Sequence, residues 1–321
     1  MLQLVNLSNH CSEAELIHHS ADVLQAFLHH HRLDGVEMMF CGPWDARVHR
    51  QEWIHGVHLR FWPSWLDFWH GNQAELLRQF GSQAEISSLY GGPTRAEWLQ
   101  VYRDNIRMAY TAGAKYVVFH VCNARMSELF DGQFCYSSRE VIAATVEVIN
   151  VLAEDIPKDL ELLFENLWWP GLTLEDKELT AMLLDGVKHG NCGIMLDTGH
   201  LMNTNLELTT EAEGVDYILE TVEKLGLYRH YIKGLHLHRS LSGQYVKENC
   251  RQAVKSAEPA DIFAHIAKID EHLPFSSPEV RRIIDYVQPR YVVHEFINKN
   301  MDEWSAKVRQ QQKALQLKEE G

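Results

Sequence analysis

The chain has 321 residues and carries 30 Lys and Arg against 44 Asp and Glu, a formal charge of −14 with its 19 histidines neutral. That balance argues against a broad electrostatic track for nucleic acid or anionic lipid, while 45% hydrophobic and 23% charged residues exclude a disordered or fibrous chain. No apolar run approaches the ~18 residues that a membrane helix needs, and Met1 to Ala14 has neither a basic n-region nor a long apolar h-region, so a cytoplasmic protein with no membrane partner is expected.

Short apolar runs bounded by Gly, Asp or Pro recur along the chain: LQLVN from Leu2, GVEMMF from Gly35, GVHLRF from Gly56, KYVVFHV from Lys115, LELLFE from Leu160, CGIMLD from Cys192, IKGLHLH from Ile232 and RYVVHEF from Arg290. Helical periodicity fills the intervals, most clearly at Glu13 to His31, Arg95 to Ala112, Arg139 to Glu154, Glu175 to His189, Glu213 to Leu225 and Pro278 to Tyr286. Strands alternating with helices predict a parallel sheet, and about eight such units predict a closed (β/α)8 TIM barrel of α/β class. No linker or low-complexity segment divides residues 1–321, so the whole chain reads as one domain. Two βα connections are far longer than usual, after the third strand (with FWPSWLDFW, Phe61 to Trp69) and after the seventh. In a barrel both lie on the C-terminal face, where such folds build their sites. The six cysteines include no CxxC and read as reduced thiols, mostly buried.

Metal-ligand side chains gather at the predicted strand ends. His58 lies in the third strand, His120 near the end of the fourth, Glu165 at the end of the fifth, Asp197 and His200 in LDTGH after the sixth, His236 and His238 at the seventh, and Glu295 at the eighth. One such residue means little, but six successive strands converge on one mouth. Carboxylates crowded there would repel unless a divalent cation neutralised them. Mixed His and carboxylate donors suit zinc first, with manganese, iron or cobalt as alternatives.

ENLWWPG after the fifth strand, MLDTGH after the sixth, GLHLH at the seventh and VHEF at the eighth resemble the xylose isomerase-like TIM barrels, which include sugar-phosphate isomerases and epimerases and endonuclease IV. The resemblance runs from about Val36 to Asn298, and DTGH is its most specific string. It implies one metal held by Glu165, Asp197, His236 and Glu295. Its endonuclease IV-like branch adds a second metal held by His58, His120 and the shared Glu165, and a third held by His200, Asp270 and His272, giving one to three ions. Helical text ahead of Asp270 leaves an exposed helix C-terminus as the other reading of that last pair. His238, two residues beyond His236, is expected at the rim as a substrate contact and not as a ligand.

The two branches would use such a site differently. An isomerase polarises a carbonyl and hydroxyl on one metal while Glu165 and Glu295 move a proton, whereas a hydrolase uses clustered metals to generate hydroxide and stabilise a leaving alkoxide. His58 with His120 favours hydrolysis of a phosphoester in a small molecule, with Glu165 and Glu295 as the catalytic carboxylates. A metal-dependent sugar or keto-acid isomerase or epimerase is the alternative, and an endonuclease acting on abasic duplex DNA comes third because no basic cluster would track a backbone. Trp168 and Trp169 follow a ligand directly and suit a flat or apolar moiety, while Arg60, Arg125 and Arg239 are placed to meet phosphate. Among the resembling enzymes, a cobamide-remodelling phosphodiesterase would suit both the metal set and the aromatic loops.

Overall fold

The computed structural model describes residues 1–250 and 259–316. Eight strands, β1 (Leu2–Ser8), β2 (Gly35–Met39), β3 (Ile54–His58), β4 (Tyr116–His120), β5 (Glu161–Glu165), β6 (Cys192–Asp197), β7 (Ile232–Leu237) and β8 (Tyr291–His294), pair in parallel in chain order and close when β8 returns to β1. Each predicted strand is present, with ends moved by up to three residues. Their burial on both faces explains why they read as near-continuous apolar runs instead of alternating ones.

Inside the barrel, Leu4, Tyr116, Val118, Leu163, Met195, Tyr291 and Val293 form a plug below the C-terminal mouth. Gly56 on β3 makes room for it, since a Cβ there would fall 2.1 Å from the Tyr116 ring. Outside, helices such as Arg95–Thr111, Ser138–Leu152 and Glu211–Lys224 cover the sheet, each started by a capping box: Thr94 with Glu97, Ser137 with Glu140, and Thr210 with Glu213. Among the described residues no helix is long and apolar enough to cross a membrane.

Two segments depart from the sequence reading. The helix expected over Glu13 to His31 is two, Cys11–Leu16 and Ala21–His30, because His18 and His19 adopt positive φ (54° and 51°) and Ser20 caps the second helix. The long connection after β3 is itself helical, with Leu66–His70, Gln73–Phe80 and Gln83–Tyr90 preceding Arg95–Thr111. Trp62, Trp65, Phe68 and Trp69 from this connection pack around Trp98, so they serve the loop's own core and do not line the mouth.

His294, the histidine of HEF, points away from the mouth. It lies fully buried with Nε2 2.7 Å from Gln3 Oε1 and Nδ1 2.9 Å from Gln311 Nε2, joining β8 to β1 and to the helix Met301–Ala314. Burial, reinforced by neighbouring His31, pushes its pKa down to about 3. The folded state therefore favours the neutral ring: its contribution is complete above the unfolded value near 6.5 and is lost as pH falls towards 3, at about 1.4 kcal/mol per pH unit. Urea unfolding of metal-free protein between pH 7 and 4 should show His294→Gln with a shallower acid slope than wild type. Parallel slopes would remove His294 from this role.

Candidate metal centre

The strand ends bring nine of the sequence-selected donors to one mouth, together with His238. The donors form three groups, within each of which the ligand atoms lie within 4.8 Å of one another: Glu165, Asp197, His236 and Glu295; His58, His120 and Glu165; and His200, His238, Asp270 and His272. Glu165 belongs to two of them, and its oxygens are divided accordingly. Oε2 is 2.9 Å from His58 Nε2 and 3.4 Å from His120 Nε2, while Oε1 is 3.3 Å from His236 Nδ1. A carboxylate placed this way is set to bridge two ions.

Backbone carbonyls fix which imidazole nitrogen is offered, because a carbonyl can only accept. His58 donates from Nδ1 to Leu59 O (3.0 Å), His200 from Nδ1 to Asn166 O (2.9 Å) and His272 from Nδ1 to Glu295 O (3.3 Å), leaving each Nε2 for the site. His236 is reversed: Nε2 donates to Glu37 Oε1 at 2.9 Å and Nδ1 faces the quartet. Such partners hold a ligand ring in its binding orientation.

Each letter of DTGH has a task here. Asp197 is a quartet donor whose Oδ1 also accepts from the His200 amide at 2.6 Å, capping the helix Thr198–Thr204. Thr198 Oγ1 lies 2.6 Å from His238 O and accepts from His238 N–H at 3.1 Å, clamping the end of β7. Gly199 leaves space for the His238 ring, and His200 is a donor in the third group.

Burial would raise the Glu165 carboxyl, but His120 and His236 more than offset it and hold it well below the usual range; His272 and His200 do the same for Asp270. Conversely, burial opposes protonation of His200 and His236, yet the adjoining carboxylates lift both, and Asp270 with Glu295 brings His272 up to about 9. Burial raises Glu295 and lowers His120 to about 4. Protons thus stand in for positive charge among these carboxylates. A divalent cation would take over that task, and the residues fit one: Glu165 Oε1, His236 Nδ1, Asp270 Oδ1 and Glu295 Oε2 are buried with no hydrogen-bond partner. An unsatisfied buried polar atom costs about 1–3 kcal/mol, so three of them in the quartet, with the fourth in the third group, point to a missing ligand.

Asp270 is not on an exposed helix end. It is buried, with Oδ2 3.2 Å from His200 Nε2 and 2.7 Å from His272 Nε2. His238 is not at the rim either: it is fully buried, with Nε2 2.9 Å from Asp197 Oδ2. The strand period of two continues past Leu237, so His236 and His238 face the same way. Trp168 has its ring 5.1 Å from His200, whereas Trp169 is buried behind it among Cys122, Leu129 and Leu167. Phe61, 4.2 Å from the His120 ring, supplies a second aromatic wall.

Two of the three arginines are engaged in ion pairs. Arg239 Nε is 3.0 Å from Glu211 and 3.2 Å from Pro274 O, Arg125 makes a two-pronged pair with Asp67 (2.8 Å each), and Arg60 stacks 5.1 Å over Trp62. The sequence reading missed Glu37 and Asn166. Glu37 is a carboxylate inside an apolar strand, which is the signal that marks it; Tyr116 OH donates to its Oε2 at 2.8 Å from across the barrel. Asn166 ties β5 to β6 through paired bonds with the Asp197 backbone (2.9 and 3.0 Å).

The family described as xylose isomerase-like TIM barrel matches residues 28–316. The chain belongs to this family. No curated protein matches the sequence. Solved structures share the xylose isomerase-like architecture: endonuclease IV from Thermus thermophilus (12% identity, 98% of this chain and 99% of that one, TM-score 0.53) and a putative xylose isomerase from Rhodospirillum rubrum (12%, 98% and 99%, 0.54). A D-tagatose 3-epimerase-like protein also aligns (16%, 98% and 97%, 0.52). At these identities the likeness within the family is one of fold.

Proposed function

We propose that this member of the family is a divalent-metal hydrolase, zinc being the ion its donors suit best, which cleaves a phosphoester in a small molecule. The observation that carries the reading is the His58, His120 and Glu165 triad, which shares a carboxylate with the Glu165, Asp197, His236 and Glu295 quartet. An enolising isomerase needs one Lewis-acid position, and a second beside it is what ester hydrolysis uses. Bound ions would polarise the phosphoryl group and lower the pKa of water. The chain's own residues do the rest. Glu165 holds the two positions together, and Glu37 and the Leu59 carbonyl keep His236 and His58 aimed inward. Glu295, the fourth donor of the quartet, would meet a cation as the carboxylate and completes the position beside Glu165. Phe61 and Trp168 present ring area to a flat or apolar part of the substrate, worth roughly 1 kcal/mol per well-formed contact.

One observation favours the isomerase alternative, namely that the quartet is complete without the triad. The test is to incubate zinc-loaded protein with nucleotide-like phosphodiesters, phosphomonoesters, abasic DNA and keto-sugars, alongside a His58→Ala/His120→Ala variant. Ester hydrolysis lost in the variant is expected. Sugar isomerisation that survives in the variant, without esterase activity in either protein, would establish the alternative.

A further inference from the structure

We propose that His238 is a metal donor and that it completes a closed third site with His200, Asp270 and His272. The inference rests on the metal-dependent reading above and goes beyond it, because the donor set implied by the family resemblance does not include His238. Four lines of geometry carry it.

The four ligand atoms lie within 4.8 Å of one another. The His238 ring is fully buried with Nδ1 unpartnered, and it stacks on His272 (centroids 4.2 Å, planes at 16°) while meeting His200 edge-on. Its backbone is clamped by Thr198, which fixes the point from which the ring leaves the end of β7. Finally, it is seated against Gly199, where any Cβ would fall 2.1 Å from His238 Cε1 and 2.3 Å from Nδ1. The chain thus keeps a place for this ring through two residues of DTGH.

The consequence is a division of labour. Four protein donors fill a tetrahedral shell, the arrangement of structural zinc sites, whereas catalytic sites keep a position open. The third group reaches four donors only with His238. The His58, His120 and Glu165 triad has three and retains an open position. The third ion would therefore hold the β6, β7 and Asp270 segments together without meeting substrate, and the open position for water or substrate would belong to the triad, whose Glu165 it shares with the four-donor quartet beside it.

The experiment uses the full-length protein. Metal content is measured on wild type, His238→Ala, Gly199→Ala and His58→Ala during dialysis against a chelator, and the last ion retained is replaced with cobalt. The expectation is one slowly released ion per wild-type chain, giving a tetrahedral cobalt absorption band and hyperfine-shifted imidazole N–H signals from three histidines. In His238→Ala and Gly199→Ala that ion should leave at least tenfold faster and one N–H signal should vanish, while His58→Ala keeps both features.

Retention of the ion and all three signals in His238→Ala would overturn the proposal and make His238 a hydrogen-bond donor to Asp197. Loss of the quartet ion instead would overturn it as well. If His238→Ala does not fold, wild type decides alone: release of all ions together, or signals from two histidines, is the overturning result. Ester hydrolysis by a chain that holds only two ions would sink this proposal and leave the functional reading standing. A third ion held through His238 without esterase activity would do the reverse.

Discussion

Glu165→Gln is expected to abolish turnover and to lower metal occupancy at two positions at once, by more than about 100-fold in affinity, exceeding the 10–100-fold that loss of an outer partner costs. The substitution keeps the shape of the side chain but removes the charge. Its Oε2 faces His58 and His120 and its Oε1 faces His236, so neither group retains its shared carboxylate. Metal analysis and activity on the same preparation check this. Full occupancy of both positions in the variant would end the bridging assignment.

Asp67→Ala should lower stability by about 3 kcal/mol, the low end of the cost of breaking a buried ion pair, because Arg125 keeps Glu75 at 3.4 Å. Asp67 is 1% exposed and receives two guanidinium bonds from Arg125, at 2.8 Å each, as well as bonds from Tyr136 OH (2.8 Å) and Gln79 (2.9 Å). It belongs to the connection after β3 and Arg125 to the one after β4, so the pair binds two walls of the mouth together. Tm should fall by roughly 5–10 °C, with metal content preserved because no donor is touched. A Tm within 1 °C of wild type would show the pair to be dispensable.

The barrel was legible because its signal is local and repeated: eight apolar runs, each ended by a breaker or a ligand-type residue. The candidate donors were legible for the same reason, since a histidine or carboxylate at a strand terminus stands out against Val, Leu and Phe. What escaped depends on long-range partners. The turn at His18 and His19 is set by backbone conformations that a helical periodicity does not encode. Arg125 and Arg239 read as phosphate contacts because their acidic partners lie 58 residues away at Asp67 and, for Arg239, across the fold at Glu211. Glu37 was passed over inside GVEMM although a lone buried carboxylate demands a partner, which proves to be His236, 199 residues on. His238 reads as a rim residue because it lies two positions beyond His236 at the end of the strand, whereas the bonds to Thr198 hold that end within the fold.

The pairing of β1 with β8 sets Leu2 against Tyr291, and this closure has a bearing on how the protein is made. At synthesis rates of about 5–20 residues per second, roughly 15 to 60 s separate the appearance of the two strands at the ribosome. Throughout that interval one edge of β1, with Leu4, Val5 and Leu7 on it, has no strand to pair with, and such an edge invites pairing with other chains. Glu295, just beyond β8, emerges after every other candidate donor, so the quartet cannot assemble before β8 is in place. Closure of the barrel and completion of the quartet are therefore one event, and recombinant yield should respond to chaperone supply during translation.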